Sequence, residues 1–193
     1  MRYFLPSAVR LKIMEKFPRS RVYLADKYLN LFDIFRRYPA RIYIETGLLY
    51  GDSLKVAKKA GFVKLYSIEI DESLCKAGRK LFKKSAEILS GHSPNVLKKL
   101  LRDIDEPCTF YLDGHPQQLH GWPVLEELHE ISKHHLKNHN IILDDRRFFG
   151  SGDIPTEVSI IKQIRSINNA YVFKYENGRF FKDILAVSVD YTT

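Results

Sequence analysis

Acidic side chains stand directly behind apolar runs at four points of the chain. Asp113 ends FYLD, Asp144 and Asp145 end NIILDD, Glu69 closes YSIE, and Glu45 follows Ile44 just ahead of a glycine. If Asp113, Asp144 and Asp145 converge, three hard oxygen donors repel one another unless a cation sits among them, and Mg²⁺ takes carboxylates together with several waters. In the alternative, Asp145 pairs with Arg146 or Arg147 while Asp113 caps a turn.

Glu45 opens ETGLLYGDS, in which Gly47 and Gly51 bracket Leu48, Leu49 and Tyr50. A glycine pair lets the chain leave a strand, turn where side chains are excluded, and start a helix whose free amides face the turn. An anionic or polar ligand group fits there; tight strand-to-helix packing alone also accounts for two glycines. The spacing is not GxGxxG, and Gly51 is followed by Asp52 and Ser53 rather than a Walker lysine, so NAD and ATP readings both weaken. Glu69 comes 18 residues after Gly51, where a strand-end acid can accept the hydroxyl hydrogens of a ribose. Its plain structural use is a pair with Lys64 or Lys76.

The elements that must position these groups alternate in type. IYIET, LYSIEI, AEILSG, TFYLD, NIILDD, YVFKYE and ILAVSV read as seven strands, with helices over 52–60, 71–84, 94–102, 123 to about 137, and 155–167 between them. Strands alternating with helices force an α/β, doubly wound, mostly parallel seven-stranded sheet covered on both faces. Only the short ENGRFFKD separates the last two strands, which makes that pair antiparallel. Ahead of this unit, 1–40 reads as an N-terminal helical extension: a helix runs from Ser7 to Phe17, and Leu24, Tyr28, Leu31, Phe32 and Phe35 recur at helical spacing until Pro39. Ligands of such sheets bind outside the carboxyl ends of the strands, where the acids stand.

Over Arg41 to Val189 the chain resembles the class I S-adenosylmethionine-dependent methyltransferases. ETGLLYGDS is similar to their E/D-x-G-x-x-x-G-x-S motif, SIEID to their second motif, and the final strand pair falls in the expected place. The resemblance implies a Rossmann-like domain over 41–193 and a cofactor site made by Glu45, Gly47, Gly51, Ser53, Glu69, His92 and Ser93. Glu45 supports the ammonium end of the cofactor and Glu69 its ribose; His92 and Ser93 border the adenine, although Gly91-His92-Ser93 departs from the GDS or GDA of metal-dependent members. Asp113, Asp144 and Asp145 look like the metal triad of the macrocin and catechol types of O-methyltransferase, which implies Mg²⁺ and a small-molecule hydroxyl as acceptor. In the sugar-modifying members a base stands two residues beyond the first aspartate, a position held here by His115. Imidazole suits it, with an unperturbed pKa of ~6.5; a loop histidine bonded to Asp113 or to a carbonyl is the alternative.

The chain has 193 residues, 45% hydrophobic and 28% charged, which is one domain with room for a core. No apolar run approaches the ~18 residues of a membrane span, and MRYFLPSAVRLKIMEKF lacks the continuous apolar segment of a signal peptide. Cys75 and Cys108 make no disulfide or zinc pattern, so the expectation is a reducing, cytoplasmic setting. The net charge of +8 is uneven: 9 bases face 3 acids from Met1 to Ala40, and 9 face 12 from Glu106 to Thr193. The basic front fits a lid or docking surface for an anionic acceptor. A nucleic-acid methyltransferase is the alternative enzyme, opposed by DGHP where an N-P-P-Y-like motif would follow the fourth strand. A non-catalytic cofactor-binding scaffold is the third reading.

His129, His134, His135 and His139 lack HExxH spacing and read as a solvated helix face, and the Lys58–Lys59, Lys83–Lys84 and Lys98–Lys99 pairs as outer surface. Trp122 either lines the acceptor pocket or starts a helix, and RRFFGSGD is either a lid beside the metal site or an ordered connection.

Overall fold

The computed structural model describes residues 30–114 and 122–189, so the expected helix from Ser7 to Phe17 lies outside the described residues. The sheet consists of β1 (Ile42–Thr46), β2 (Lys64–Glu69), β3 (Glu87–Ser90), β4 (Cys108–Leu112), β5 (Asn140–Leu143), β6 (Tyr171–Glu176) and β7 (Ile184–Val189). Their order is β3-β2-β1-β4-β5-β7-β6. The first five strands pair in parallel, and β7 runs antiparallel to both β5 and β6. The order reverses between β1 and β4. There the sheet opens a crevice at its carboxyl rim.

The helices are α1 (30–37), α2 (Asp52–Ala60), α3 (Glu72–Phe82), α4 (Ser93–Leu100), α5 (Val124–Lys133) and α6 (Glu157–Ile167). Every residue of β1 and β4 is buried, as unbroken apolar runs of a two-sided sheet must be. Alternation sends Ile42, Ile44, Phe110 and Leu112 to one core with Leu97, Leu128, Ile131, Ile160 and Ile164. Tyr43 and Tyr111 go to the other, with Leu31, Ile34, Phe35, Leu54, Cys75 and Phe82. Phe35 meets Tyr43 and Tyr111 edge-on at centroid distances of 5.1 and 5.4 Å. Within 30–40, Leu31, Ile34, Phe35 and Tyr38 are thus all part of the core.

One expectation is corrected. α5 stops at Lys133, and His134 leaves it in an extended conformation, so the periodicity that would spread the histidines around a helix ends before the last three. His134 and His139 are buried rather than solvated; His129 and His135 are exposed. His139 Nδ1 accepts the Cys108 N–H at 3.0 Å, which places its proton on Nε2, 3.0 Å from Nδ1 of His134. That atom also receives the Leu136 N–H at 3.3 Å, and His134 Nε2 donates to the Ile104 carbonyl at 2.8 Å. The two imidazoles thereby tie the end of α5 to the start of β4. Burial and the neighbouring His134 push the His139 pKa down to about 3. The lysine pairs are exposed as expected.

Candidate functional site

The turn after β1 is held from three sides. Gly47 has φ +87°, and a Cβ there would lie 2.7 Å from the Asp113 carbonyl oxygen, so the turn presses against the end of β4. Gly51, at φ +68° before α2, faces Phe82 so closely that a Cβ would come within 2.4 Å of the ring. Leu49 projects from the turn, 44% exposed, at φ +48°. Its N–H donates to Glu69 Oε2 at 3.1 Å, while Glu69 Oε1 accepts the N–H groups of Ile70 and Asp71 at 2.8 and 2.9 Å. The carboxylate at the end of β2 thereby fixes the glycine turn from the neighbouring strand. Oε2, with one donor, has a second lone pair to offer.

Glu45 lies beneath the turn, fully buried. Oε2 accepts from the hydroxyls of Tyr43 at 3.0 Å and Ser53 at 2.8 Å, and Oε1 from Ser67 at 2.7 Å. Burial pushes its pKa up to about 7, even though the three hydroxyls pull it down. Ser53 is thus bound to Glu45 and couples the first turn of α2 to β1.

Beyond β3, His92 precedes α4 without a side-chain cap bond, and the Ser93 hydroxyl donates to Glu127 Oε1. Glu127 was not singled out from sequence. It is 1% exposed on α5, beside Val124, Leu128 and Ile131 on the buried face, and a carboxylate on an apolar helix face was the available signal. A Cβ at Gly114 would lie 3.2 Å from Thr46 Oγ1 and 3.4 Å from Glu127 Oε1. Thr46 Oγ1 is buried with no hydrogen-bond partner among the described residues.

Asp113 and Asp144 end the adjacent strands β4 and β5. The Tyr111 hydroxyl donates to Asp144 Oδ2 at 2.5 Å and lies 3.4 Å from Asp113 Oδ2. Both aspartates line a water-sized cavity of about 10 Å³, shared with Gly114, Trp122, Glu127 and Phe149. Trp122 therefore lines this pocket just ahead of α5, and its ring meets those of Phe148 and Phe149 edge-on. Among the described residues, Asp144, Asp145 and Asp183 bring carboxylate oxygens within 4.8 Å of one another. Asp113 is outside that group. Asp183 precedes β7 rather than following a strand, so a search of strand ends does not reach it. β7 runs against β5, so the residue before it reaches the same rim.

Arg147 stands in this cluster, with Nη1 2.5 Å from Asp145 Oδ1 and bonded to Asp183 Oδ2; its backbone N–H donates to Asp183 Oδ1 at 3.1 Å. Arg146 pairs instead with Glu157 at 2.8 Å. Three carboxylates are hard oxygen donors of the kind Mg²⁺ takes, so the donor chemistry fits that ion. His115 lies outside the described residues.

No protein-family model and no curated protein matches the chain. Among solved structures, it is similar to the O-methyltransferase from Bacillus cereus in complex with SAH, 15% identical over 86% of this chain and 81% of that one, with a TM-score of 0.61. It is also similar to the O-methyltransferase TomG from Streptomyces achromogenes, involved in tomaymycin synthesis and in complex with SAM, at 15% identity, 84% and 78% coverage and a TM-score of 0.57. A third is DesVI of Streptomyces venezuelae, 10% identical over 97% of this chain and all of that one (100%), at 0.62. The strand order, the antiparallel last pair and these likenesses give the chain the Rossmann-like fold of the S-adenosylmethionine-dependent methyltransferases.

Proposed function

We propose that the chain transfers a methyl group from S-adenosylmethionine to a hydroxyl of a small-molecule acceptor, sugar or catechol-like, with help from Mg²⁺. The observation that carries this reading is the ETGLLYGDS turn at the end of β1, beside the point where the strand order reverses, with Glu69 bonded to it from β2. The Bacillus cereus and Streptomyces achromogenes structures of this fold hold SAH and SAM.

Gly47 and Gly51 let the turn pack closely on the end of β4 and on Phe82, which sets its course beside the methionine end of the cofactor. Glu45 braces that turn through Ser53 at the start of α2, while Ser67 ties it to β2. The second lone pair of Glu69 Oε2 is the acceptor for a ribose hydroxyl. His92 and Ser93 border the adenine, with Ser93 oriented by Glu127. When bound, the cofactor supplies an electrophilic methyl and Mg²⁺ lowers the pKa of the attacking hydroxyl. Asp144 and Asp145 are the residues to hold the ion, with Asp113 or Asp183 as the third carboxylate. His115, two residues beyond Asp113, is the base that takes the acceptor's proton. Trp122 and Phe149 line the cavity beside Asp113 and Asp144, and orientation with exclusion of water is the protein's main contribution to such a transfer. Cys75 and Cys108 are both buried and free, in keeping with work in a reducing cytoplasm.

Calorimetric titration with S-adenosylhomocysteine, with and without Mg²⁺, tests the reading. Binding in the micromolar range supports it, and absence of binding in both conditions overturns it in favour of a scaffold.

A further inference from the structure

The cluster at the β5–β7 rim holds its own cation. Arg147 Nη1 lies between Asp145 and Asp183, and the backbone N–H of the same residue anchors the other oxygen of Asp183. The partners differ sharply in access: the Asp183 side chain is 1% exposed and that of Arg147 is 31% exposed. Its charge therefore comes from the solvent side onto a carboxylate that water does not reach. The guanidinium stacks on Phe148 at 4.4 Å and on Phe180 at 4.6 Å. These rings are themselves 38% and 41% exposed, so the stack lies at the surface. Asp144 is served separately, by the Tyr111 hydroxyl and the Asp145 N–H at 2.8 Å.

A single guanidinium carries one positive charge against three carboxylates whose oxygens lie within 4.8 Å of one another. Buried carboxylates are costly without a counter-charge. A divalent ion supplies twice the charge at a point, with shorter contacts to hard oxygen. Both cannot occupy the space between Asp145 and Asp183.

We propose that the Arg147 guanidinium is the resident counter-cation of the Asp145–Asp183 pair, and that a divalent cation enters the cluster only by displacing it. The inference rests on the metal-assisted reading above and adds to it a residue that sets how tightly the ion binds. No bond is made or broken in the exchange: one guanidinium leaves its two carboxylates for solvent, and one divalent ion takes its place. The stack with Phe148 and Phe180 belongs to the docked guanidinium, so displacement also parts it from these two rings.

The test is a Mn²⁺ titration of the full chain by electron paramagnetic resonance, comparing wild type with Arg147→Gln and Arg147→Lys. Arg147→Gln is expected to bind Mn²⁺ at least tenfold more tightly than wild type, with Arg147→Lys between the two. Equal or weaker binding by Arg147→Gln overturns the proposal. Trp122 is the only tryptophan, 6.3 Å from the Phe148 ring, so a Mg²⁺ titration of unmodified protein followed by its fluorescence needs no variant to fold. Emission that shifts in step with ion binding supports displacement, and ion binding that leaves the emission unchanged overturns it. Failure of wild type to bind S-adenosylhomocysteine sinks the methyl-transfer reading and leaves these two titrations to decide the exchange.

Discussion

Leu49 donates its backbone N–H to Glu69 Oε2 at 3.1 Å, so the glycine turn after β1 and the acid at the end of the adjacent β2 are one hydrogen-bonded unit. Glu69→Ala removes the acceptor for three N–H groups, those of Leu49, Ile70 and Asp71. Each unsatisfied N–H costs about 1–3 kcal/mol when water cannot replace the partner, and at this half-open rim water replaces some. Glu69→Ala is expected to lower stability to urea by roughly 1–3 kcal/mol and to weaken S-adenosylhomocysteine at least tenfold. Glu69→Gln keeps one oxygen acceptor and loses mainly ligand affinity. Denaturation and calorimetry on the two variants check this, and unchanged affinity in both removes Glu69 from the cofactor site.

The two glycines of the turn resist substitution for different reasons. At Gly47 the obstacle is backbone: a Cβ would sit 2.7 Å from the Asp113 carbonyl, at a φ of +87° that alanine rarely adopts. At Gly51, where a φ of +68° also strains alanine, the steric obstacle is the side chain of Phe82. Gly51→Ala is therefore expected to regain part of its lost stability in a double variant with Phe82→Leu, whereas Gly47→Ala gains nothing from it. Urea midpoints of the four proteins decide. Equal rescue of both glycine variants contradicts the assignment of backbone to one and side chain to the other.

Glu127 and Ser93 make a prediction about charge against shape. Glu127→Gln keeps an oxygen for the Ser93 hydroxyl and is expected within about 1 kcal/mol of wild type. Glu127→Leu strands that hydroxyl in a buried place and is expected to cost about 1–3 kcal/mol. If Leu is the better tolerated of the two, the Ser93–Glu127 bond does not hold α4 to α5.

The seven strands, the antiparallel last pair and the acids at the strand ends were legible because each rests on local pattern: β-branched runs, glycine punctuation, short connections and changes of period. Asp183 was not, since its place depends on the direction of β7 rather than on its own neighbours. The burial of His134 and His139 escaped for a related reason. Nothing between Glu126 and Asn140 but the tertiary fold says that α5 ends at Lys133, and from there the chain passes Ile104 and the start of β4 to reach Asn140. Glu127 could have been found, because it breaks the apolar stripe of Val124, Leu128 and Ile131.

Two buried groups titrate in opposite senses, and their windows overlap. Glu45 has a folded pKa of about 7 against a usual value of 4.5. Between these pH values the folded chain holds a proton that the unfolded chain has lost, so this group's contribution to stability is full below 4.5 and is lost as the pH rises through 7. His139 has a folded pKa of about 3 against 6.5. There the unfolded chain holds the extra proton, so stability is full above 6.5 and is lost as the pH falls toward 3. Across the shared interval the two slopes, each of order 1 kcal/mol per pH unit, oppose one another. Relative to wild type, Glu45→Gln should therefore gain stability as the pH is raised from 4.5 to 6.5, and His139→Asn should lose it over the same range. Taking differences from wild type cancels the surface carboxylates. Urea unfolding at three pH values in that interval measures both, and a Glu45→Gln profile parallel to wild type shows that the Tyr43, Ser53 and Ser67 hydroxyls keep Glu45 ionised despite its burial.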